Sequence, residues 1–281
     1  MAASALCMSL MHASIRHLSG GVHPIELVFF RYLFGIFFML PWLVRVGKSG
    51  LKASRHHLYL LRALTSVFAT FMFFSALGMI PLADATATLF TRPLFAALIA
   101  ILFLGEAGKL GRWGALLAGF AGVLVMVRPG FSDVNLGIFL AFGAAAAAAV
   151  NPAVIRSLTR TESPDTITFY ASIWAAGLAV LPAVFFWSWP TGEQYVWLLA
   201  MAGLGTLGQR ALARSLAIGE VSLVLPFEYT RLPFAALIGW LMFTEVPVIW
   251  TWVGGTLIFG GAIWLARVEA RETAQRAASA V

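Results

Sequence analysis

Runs of about twenty apolar residues follow one another along this chain with almost nothing between them. A helix rises about 1.5 Å per residue, so a run of roughly that length crosses the ~30 Å hydrocarbon core of a bilayer. Ten such runs lie near residues 2–18, 24–46, 58–79, 82–104, 111–128, 134–156, 165–187, 195–216, 221–243 and 248–266. They fill most of the 281 residues and leave no room for a soluble domain. A membrane barrel would alternate apolar and polar positions over about ten residues, and the stretch FLAFGAAAAAAV from Phe139 to Val150 does not. The chain is 60% hydrophobic and 11% charged, against roughly 25% charged for a soluble domain. That balance excludes a soluble enzyme and a nucleic-acid binder despite the net charge of +7. The expected fold class is an all-α membrane protein with ten transmembrane helices.

Orientation follows from the basic residues at the ends of the runs. One set of connections holds Arg45, Lys48, Lys52, Arg55, Lys109, Arg112, Arg156, Arg160, Arg214, Arg267, Arg271 and Arg276, whereas the opposite set holds only Arg16 and Arg128. The positive-inside rule then puts both termini in the cytoplasm. The first run lacks the charged lead of a signal peptide, so it is read as a helix, and the chain is expected to begin within its native first span. Cys7, the single cysteine, sits in an apolar run and reads as a packed thiol.

Self-comparison is the most informative operation on the chain. Residues 91–106 read TRPLFAALIAILFLGE and residues 230–245 read TRLPFAALIGWLMFTE, with nine of sixteen positions identical at an offset of 139. The same offset carries Trp113 onto Trp252 and Gly122 onto Gly261, and an offset of 140 carries Arg16 and Leu18 onto Arg156 and Leu158, and Pro24 onto Pro164. The domains expected are therefore a five-helix repeat over 1–130, a second over 131–268, and a cytoplasmic tail over 269–281. Five is odd, so the second unit enters the membrane from the opposite side. Such inverted repeats are common in secondary transporters, although some channels also have them.

Pro24-Ile25-Glu26-Leu27 followed by Arg31, the FAALI stretches ending in Leu-Gly-Glu (104–106) and Phe-Thr-Glu (243–245), and the helix openings at Trp113-Gly114 and Trp252-Val253-Gly254-Gly255 together resemble the EamA-type branch of the drug/metabolite transporter superfamily. The resemblance spans nearly the whole chain. It implies a ten-helix exporter of small metabolites, with helices 1–4 and 6–9 around a central cavity and helices 5 and 10 outside it. The first run has no acid, so the glutamate-based drug–proton exchange of the small multidrug-resistance members does not carry over.

Ionisable residues inside spans should face protein or water. Arg31, Arg62, Arg92, Arg210 and Arg231 lie inside runs. Arg62 is near its helix end and reads as an anchor. Arg92 and Arg231 are repeat mates at mid-depth beside Pro93, Pro226 and Pro233. A bent helix with a guanidinium there suits bidentate recognition of a carboxylate, or else a structural pairing. For Arg231 the structural partner would be Glu228, at i−3. Glu228 is instead a receiver for a substrate amine or a proton carrier if it does not pair. Arg31 reads as a cavity or interhelical contact. Gln209, Arg210 and Asn151 followed by Pro152 are interhelical glue or, for Gln209 and Asn151, contacts to an uncharged or zwitterionic ligand. Tyr170 and Trp174 share a helix face below the interface and are candidate ligand walls. The glycines and the alanine run 144–149 serve close helix packing. No metal spacing occurs among the five histidines and no phosphate loop is present, so neither a cofactor nor ATP-driven transport is expected.

The functional expectation is a secondary exporter in a bacterial inner membrane. Its partners are the lipid bilayer and a small molecule such as an amino acid, with no nucleic acid. A multidrug or other metabolite exporter of the same fold is the alternative, and a channel or membrane-embedded enzyme is further off. The threading is directly testable. Single cysteines placed after the first and sixth runs, in a Cys7→Ser background, should react with an impermeant maleimide from opposite sides of the membrane; labelling from one side would end the inverted-repeat reading.

Overall fold

The computed structural model describes residues 2–47, 53, 55–103, 110–127, 135–158, 161–218 and 230–278. Every regular element among them is helical. They are α1 (Ala2–Leu18), α2 (Pro24–Val46), α3 (His56–Met79), α4 (Leu82–Thr88), α5 (Arg92–Phe103), α6 (Leu110–Val127), α7 (Leu136–Ala148), α8 (Asn151–Leu158), α9 (Pro164–Phe185), α10 (Gly192–Ile218), α11 (Arg231–Phe243) and α12 (Ile249–Ala278). Among the described residues, six stretches are long and apolar enough to cross a membrane: Pro24–Val46, His56–Met79, Leu82–Ile99, Leu136–Ile155, Pro164–Phe185 and Ile249–Val268. Val44, Leu110 and Phe185 are each more than four-fifths exposed. Outward apolar surface of that kind belongs against lipid tails rather than water.

Prolines mark where helices open. Pro24 and Pro164 are the first residues of α2 and α9, and Pro93 and Pro152 are the second residues of α5 and α8. A first-turn N–H has no intrahelical partner, so losing it there costs nothing. At Pro93 the sequence suggests a bend; the helix instead stops, passes through a 3-10 turn at Leu89–Thr91, and restarts at Arg92. Buried threonines furnish hydrogen bonds around the interruption: Thr86 Oγ1 donates to the Leu82 carbonyl at 2.7 Å, Thr88 Oγ1 to Ala85 at 2.7 Å and Thr91 Oγ1 to Thr88 at 2.6 Å. Hydroxyls of this kind are what make a broken helix tolerable away from water.

The two halves of the chain interleave. α1 packs on α10 and α11, α3 on α7 and α9, α2 on α9 and α10, α4 on α11, and α6 on α12. Exchanging each helical stretch with its counterpart in the other half turns the α1–α10 contact into α3–α7 and the α2–α10 contact into α3–α9, and leaves α2–α9, α4–α11 and α6–α12 as themselves. One apolar core joins α1, α2, α3, α4, α7, α9, α10 and α11; a second joins α4, α5, α6, α11 and α12.

α6 and α12 meet through glycine. A Cβ at Gly122 would stand 2.7 Å from the Gly254 carbonyl oxygen and 2.8 Å from Ile258 N, and one at Gly261 would stand 2.7 Å from Gly119 Cα. Those neighbours are backbone, so a side chain would push the helices apart. Gly122→Leu should lower the stability of the purified protein by about 1–3 kcal/mol or more, read as a lower melting temperature in detergent. Gly260→Ala, where a Cβ meets nothing within 4 Å, should leave it unchanged.

Candidate functional site

Four polar side chains converge on the middle of the bundle from four helices. His12 on α1 is 5% exposed, and the charged groups acting on it are Arg231 (α11), Arg31 (α2) and Arg92 (α5). Arg92 and Arg231 are each the first residue of their helix. The 3-10 interruption before α5 sets the position of Arg92, while Ser9 Oγ of α1 donates to the Arg231 carbonyl at 3.3 Å. Arg31 reaches the contact between α1 and α10 at Gly205. A Cβ at Gly205 would meet Met11 Sδ at 2.7 Å and come within 3.6 Å of Arg31 Nε. The Arg31 guanidinium also stands 4.8 Å from the centroid of the Tyr32 ring. His12 itself packs against Phe73, with ring centroids 4.9 Å apart. One buried and two half-buried guanidiniums around an imidazole are suited to an anionic or carboxylate-bearing group.

One end of the bundle is tied across the halves. Arg16, in the last turn of α1, pairs with Glu245 just beyond α11 at 2.6 Å and donates to the carbonyls of Leu77 at 2.5 Å and Ile80 at 3.1 Å. Glu245 in turn accepts the Leu82 N–H at 2.8 Å, at the start of α4. This single cluster therefore joins α1, α3, α4 and α11. Glu245 is aimed there by the end of α11. Thr244 takes the left-handed conformation at φ 57°, and its N–H returns to the Trp240 carbonyl at 3.1 Å, the pattern of a left-handed helix stop with a 5→1 bond. The repeat mate of Thr244 in sequence is Gly105, a residue type that adopts this conformation freely.

Nearby, Glu26 closes the capping box of α2 by accepting the His23 N–H at 3.1 Å, and it also accepts the Ser188 N–H at 2.7 Å. It is thus bound to the α2 start and the α9–α10 connection rather than to Arg31. Trp187 packs on Phe29 and Phe30, Trp189 on Trp187, Tyr195 on Phe30, and Trp197 on His17.

Tyr170 and Trp174 join a separate group at the start of α3. Tyr170 lies 5.4 Å from Tyr59 and 6.1 Å from His56, and Trp174 lies 6.4 Å from His56, between ring centroids. Tyr59 donates to Glu162 there, and Arg62 donates to the Ile167 carbonyl at 3.2 Å. Asn151, at the start of α8, accepts from Thr65 Oγ1 at 2.8 Å and so bridges to α3. Arg210 pairs with Asp165 at 3.1 Å. Gln209 is half-buried on α10. Glu228, Pro226 and Glu106 lie outside the described residues. The site thus brings together Arg31, Arg92 and Arg231, while Tyr170, Trp174 and Asn151 belong to the α3 side of the bundle. Sequence reasoning missed His12, whose only signal was a histidine in mid-run. It also treated Arg16 as a loop charge, although the repetition of Arg16 with Arg156 and of Glu245 with Glu106 pointed to a paired role.

A chain whose described elements are all helical, with several membrane-length apolar helices and inward-facing arginines at its centre, is a multi-pass membrane protein of transporter type. The profile of the EamA-like transporter family matches residues 1–128 and again 135–267, and the chain belongs to that family. It is 32% identical over 247 residues to a riboflavin transporter of Vibrio cholerae, covering 86% of this chain and 83% of that protein. It is 27% identical over 274 residues to an S-adenosylmethionine uptake transporter of Rickettsia prowazekii, covering 96% and 93%. A pseudopaline exporter of Pseudomonas aeruginosa is 30% identical over 267 residues, covering 93% and 92%. A solved crystal structure shares the fold with a TM-score of 0.63 at 21% identity, over 96% of this chain and 97% of the other. The relatives are named as transporters, not enzymes.

The left-handed Thr244 yields a test of how Glu245 is held. A left-handed β-branched residue costs about 1–2 kcal/mol, so Thr244→Gly should raise the melting temperature of the detergent-purified protein. Thr244→Val, which keeps the branching and loses nothing that reaches a partner through its hydroxyl among the described hydrogen bonds, should leave it near the parent value.

Proposed function

We propose that the chain is a secondary transporter that exports small amphipathic metabolites, amino acids foremost, across the inner membrane of a bacterium by alternating access. The observation that carries this reading is the meeting of Arg92 and Arg231, repeat mates from the two halves, around one buried point with Arg31. Arginine presents a planar fork that matches a carboxylate. In this reading Arg92 or Arg231 holds the carboxylate of the cargo, Arg31 adds charge from α2, and Glu228 faces either Arg231 or the cargo amine. Tyr170 and Trp174, with Asn151 and Gln209 as polar contacts, line the route on the α3 side.

The exchange of helix-packing pairs between the halves supports two inverted repeats over 1–130 and 131–268. The distribution of Lys and Arg supports cytoplasmic termini, with 269–281 as a cytoplasmic tail. In that orientation the Arg16–Glu245 cluster lies at the outer face and closes it. Opening that face requires the Arg16–Glu245 cluster to part.

A second reading, riboflavin transport, is favoured by the 32% identity to the Vibrio cholerae protein over most of its length. Vesicles reconstituted with the full chain separate the two when loaded with unlabelled compound and offered labelled amino acids or labelled riboflavin. Exchange of an amino acid supports the first reading, and riboflavin exchange with no amino-acid flux replaces it with the second. Arg92→Gln and Arg231→Gln should each raise KM for the transported amino acid by about tenfold or more, the loss of one charged hydrogen-bonding pair. Unchanged affinity in folded variants would remove the carboxylate role.

A further inference from the structure

His12 is the member of the central group that the proposed transport reading leaves without a task. It stands in the middle of α1, 5% exposed, and its Nδ1 is buried with no hydrogen-bond partner among the described residues. Arg31 Nε is likewise buried without a hydrogen-bond partner there. Packing alone does not require either group. A histidine ring against Phe73 could be replaced by a phenylalanine, and a guanidinium in the bundle interior is costly unless something accepts from it.

The surroundings state what that acceptor must be. The charged groups acting on His12 are the guanidiniums of Arg231, Arg31 and Arg92, from α11, α2 and α5. α3 contributes the apolar Phe73 ring, and α10 contributes Gly205, where a Cβ would stand 2.7 Å from Met11 Sδ and 3.6 Å from Arg31 Nε, so the backbone of α10 lies close against this group. Of the described carboxylates, Glu193 is exposed, and Glu26, Asp84, Glu162, Asp165 and Glu245 are engaged elsewhere, with Ser188, Thr251, Tyr59, Arg210 and Arg16 respectively. An oxyanion satisfies both open donors at once, since the Nδ1–H tautomer of imidazole and the Nε–H of arginine each donate to one of its oxygens.

We propose that His12 and Arg31 form a substrate-contacting pair that receives an acidic group, a carboxylate or a phosphate-type oxyanion, of the transported molecule. This deepens the transport reading, on which it rests, by assigning a second pair of contacts beside Arg92 and Arg231. It makes acidic metabolites with an oxyanion on a side chain or ester the favoured cargo over their neutral counterparts. Histidine sets the preference because it offers a single directed donor next to a guanidinium.

The test uses the full chain purified in detergent and follows its melting temperature as L-glutamate, L-glutamine, sn-glycerol 3-phosphate or glycerol is added. Glutamate should bind at least tenfold more tightly than glutamine if the acceptor is a carboxylate. Glycerol 3-phosphate should exceed glycerol by a similar factor if it is a phosphate. His12→Leu and Arg31→Gln should each abolish that preference, while His12→Gln, which keeps a neutral donor, should retain part of it. If His12→Leu does not fold, the contrast between His12→Gln and the parent decides: the preference should fall but persist. Gly260→Ala, made in parallel at a position where a Cβ meets nothing within 4 Å, should leave the preference in place. Equal binding of each acidic and neutral pair, no binding of either acid, or a preference that survives both His12→Leu and Arg31→Gln would overturn the proposal. Failure of amino-acid flux in vesicles with the acid preference intact would instead strike only the export reading.

Discussion

No water reaches the lipid-facing backbone of a bilayer-spanning chain, and every feature of this molecule answers to that condition. Peptide groups must bond within their own helix, and charges must find partners inside the bundle. The interruption between α4 and α5 is possible because Thr86, Thr88 and Thr91 supply hydroxyls there, and because Pro93 falls in a first turn that needs no N–H. The same condition draws Arg31, Arg92 and Arg231 inward, since a guanidinium on the lipid face would be far from any acceptor.

Inward-pointing charge and end-on ties together make a molecule with a polar middle and a braced end. The braced end joins helices of both halves through Arg16 and Glu245, whereas the middle gathers arginines from both halves around His12. A bundle whose halves touch chiefly through such reciprocal contacts can rearrange only by changing them in concert, because each packed interface is close to full. The glycine contact between α6 and α12 has a different character. Backbone against backbone leaves little freedom, so this pair is suited to act as a fixed unit.

Much of this was readable in the letters. Span positions follow from runs of apolar residues, and α1, α2, α3 and α9 fall close to the boundaries those runs suggest, whereas α12 runs on past its apolar stretch to Ala278. The repeat of Thr-Arg-x-x-Phe identified Arg92 and Arg231 as equivalent, and the structure brings both within electrostatic reach of one side chain. Gly122 and Gly261 were readable as close-packing residues for the same reason. What could not be read was direction. Tyr170 and Trp174 share a helix face, yet which neighbour that face meets depends on the rotation of α9, and it meets His56 and Tyr59. Arg210 read as interhelical glue, and only the packing of α9 against α10 named its partner, Asp165.

Hydrophobic length, proline placement and charge count are properties of short stretches, and short stretches are enough to settle helix, membrane and family. Partnership is a property of residues far apart in the chain. Arg16 and Glu245 are separated by 229 positions, and His12 meets arginines from three other helices, because helices rotate and slide until side-chain volumes interlock. That final adjustment is made by packing between elements, which no local pattern encodes, and it alone decided which polar groups share the interior.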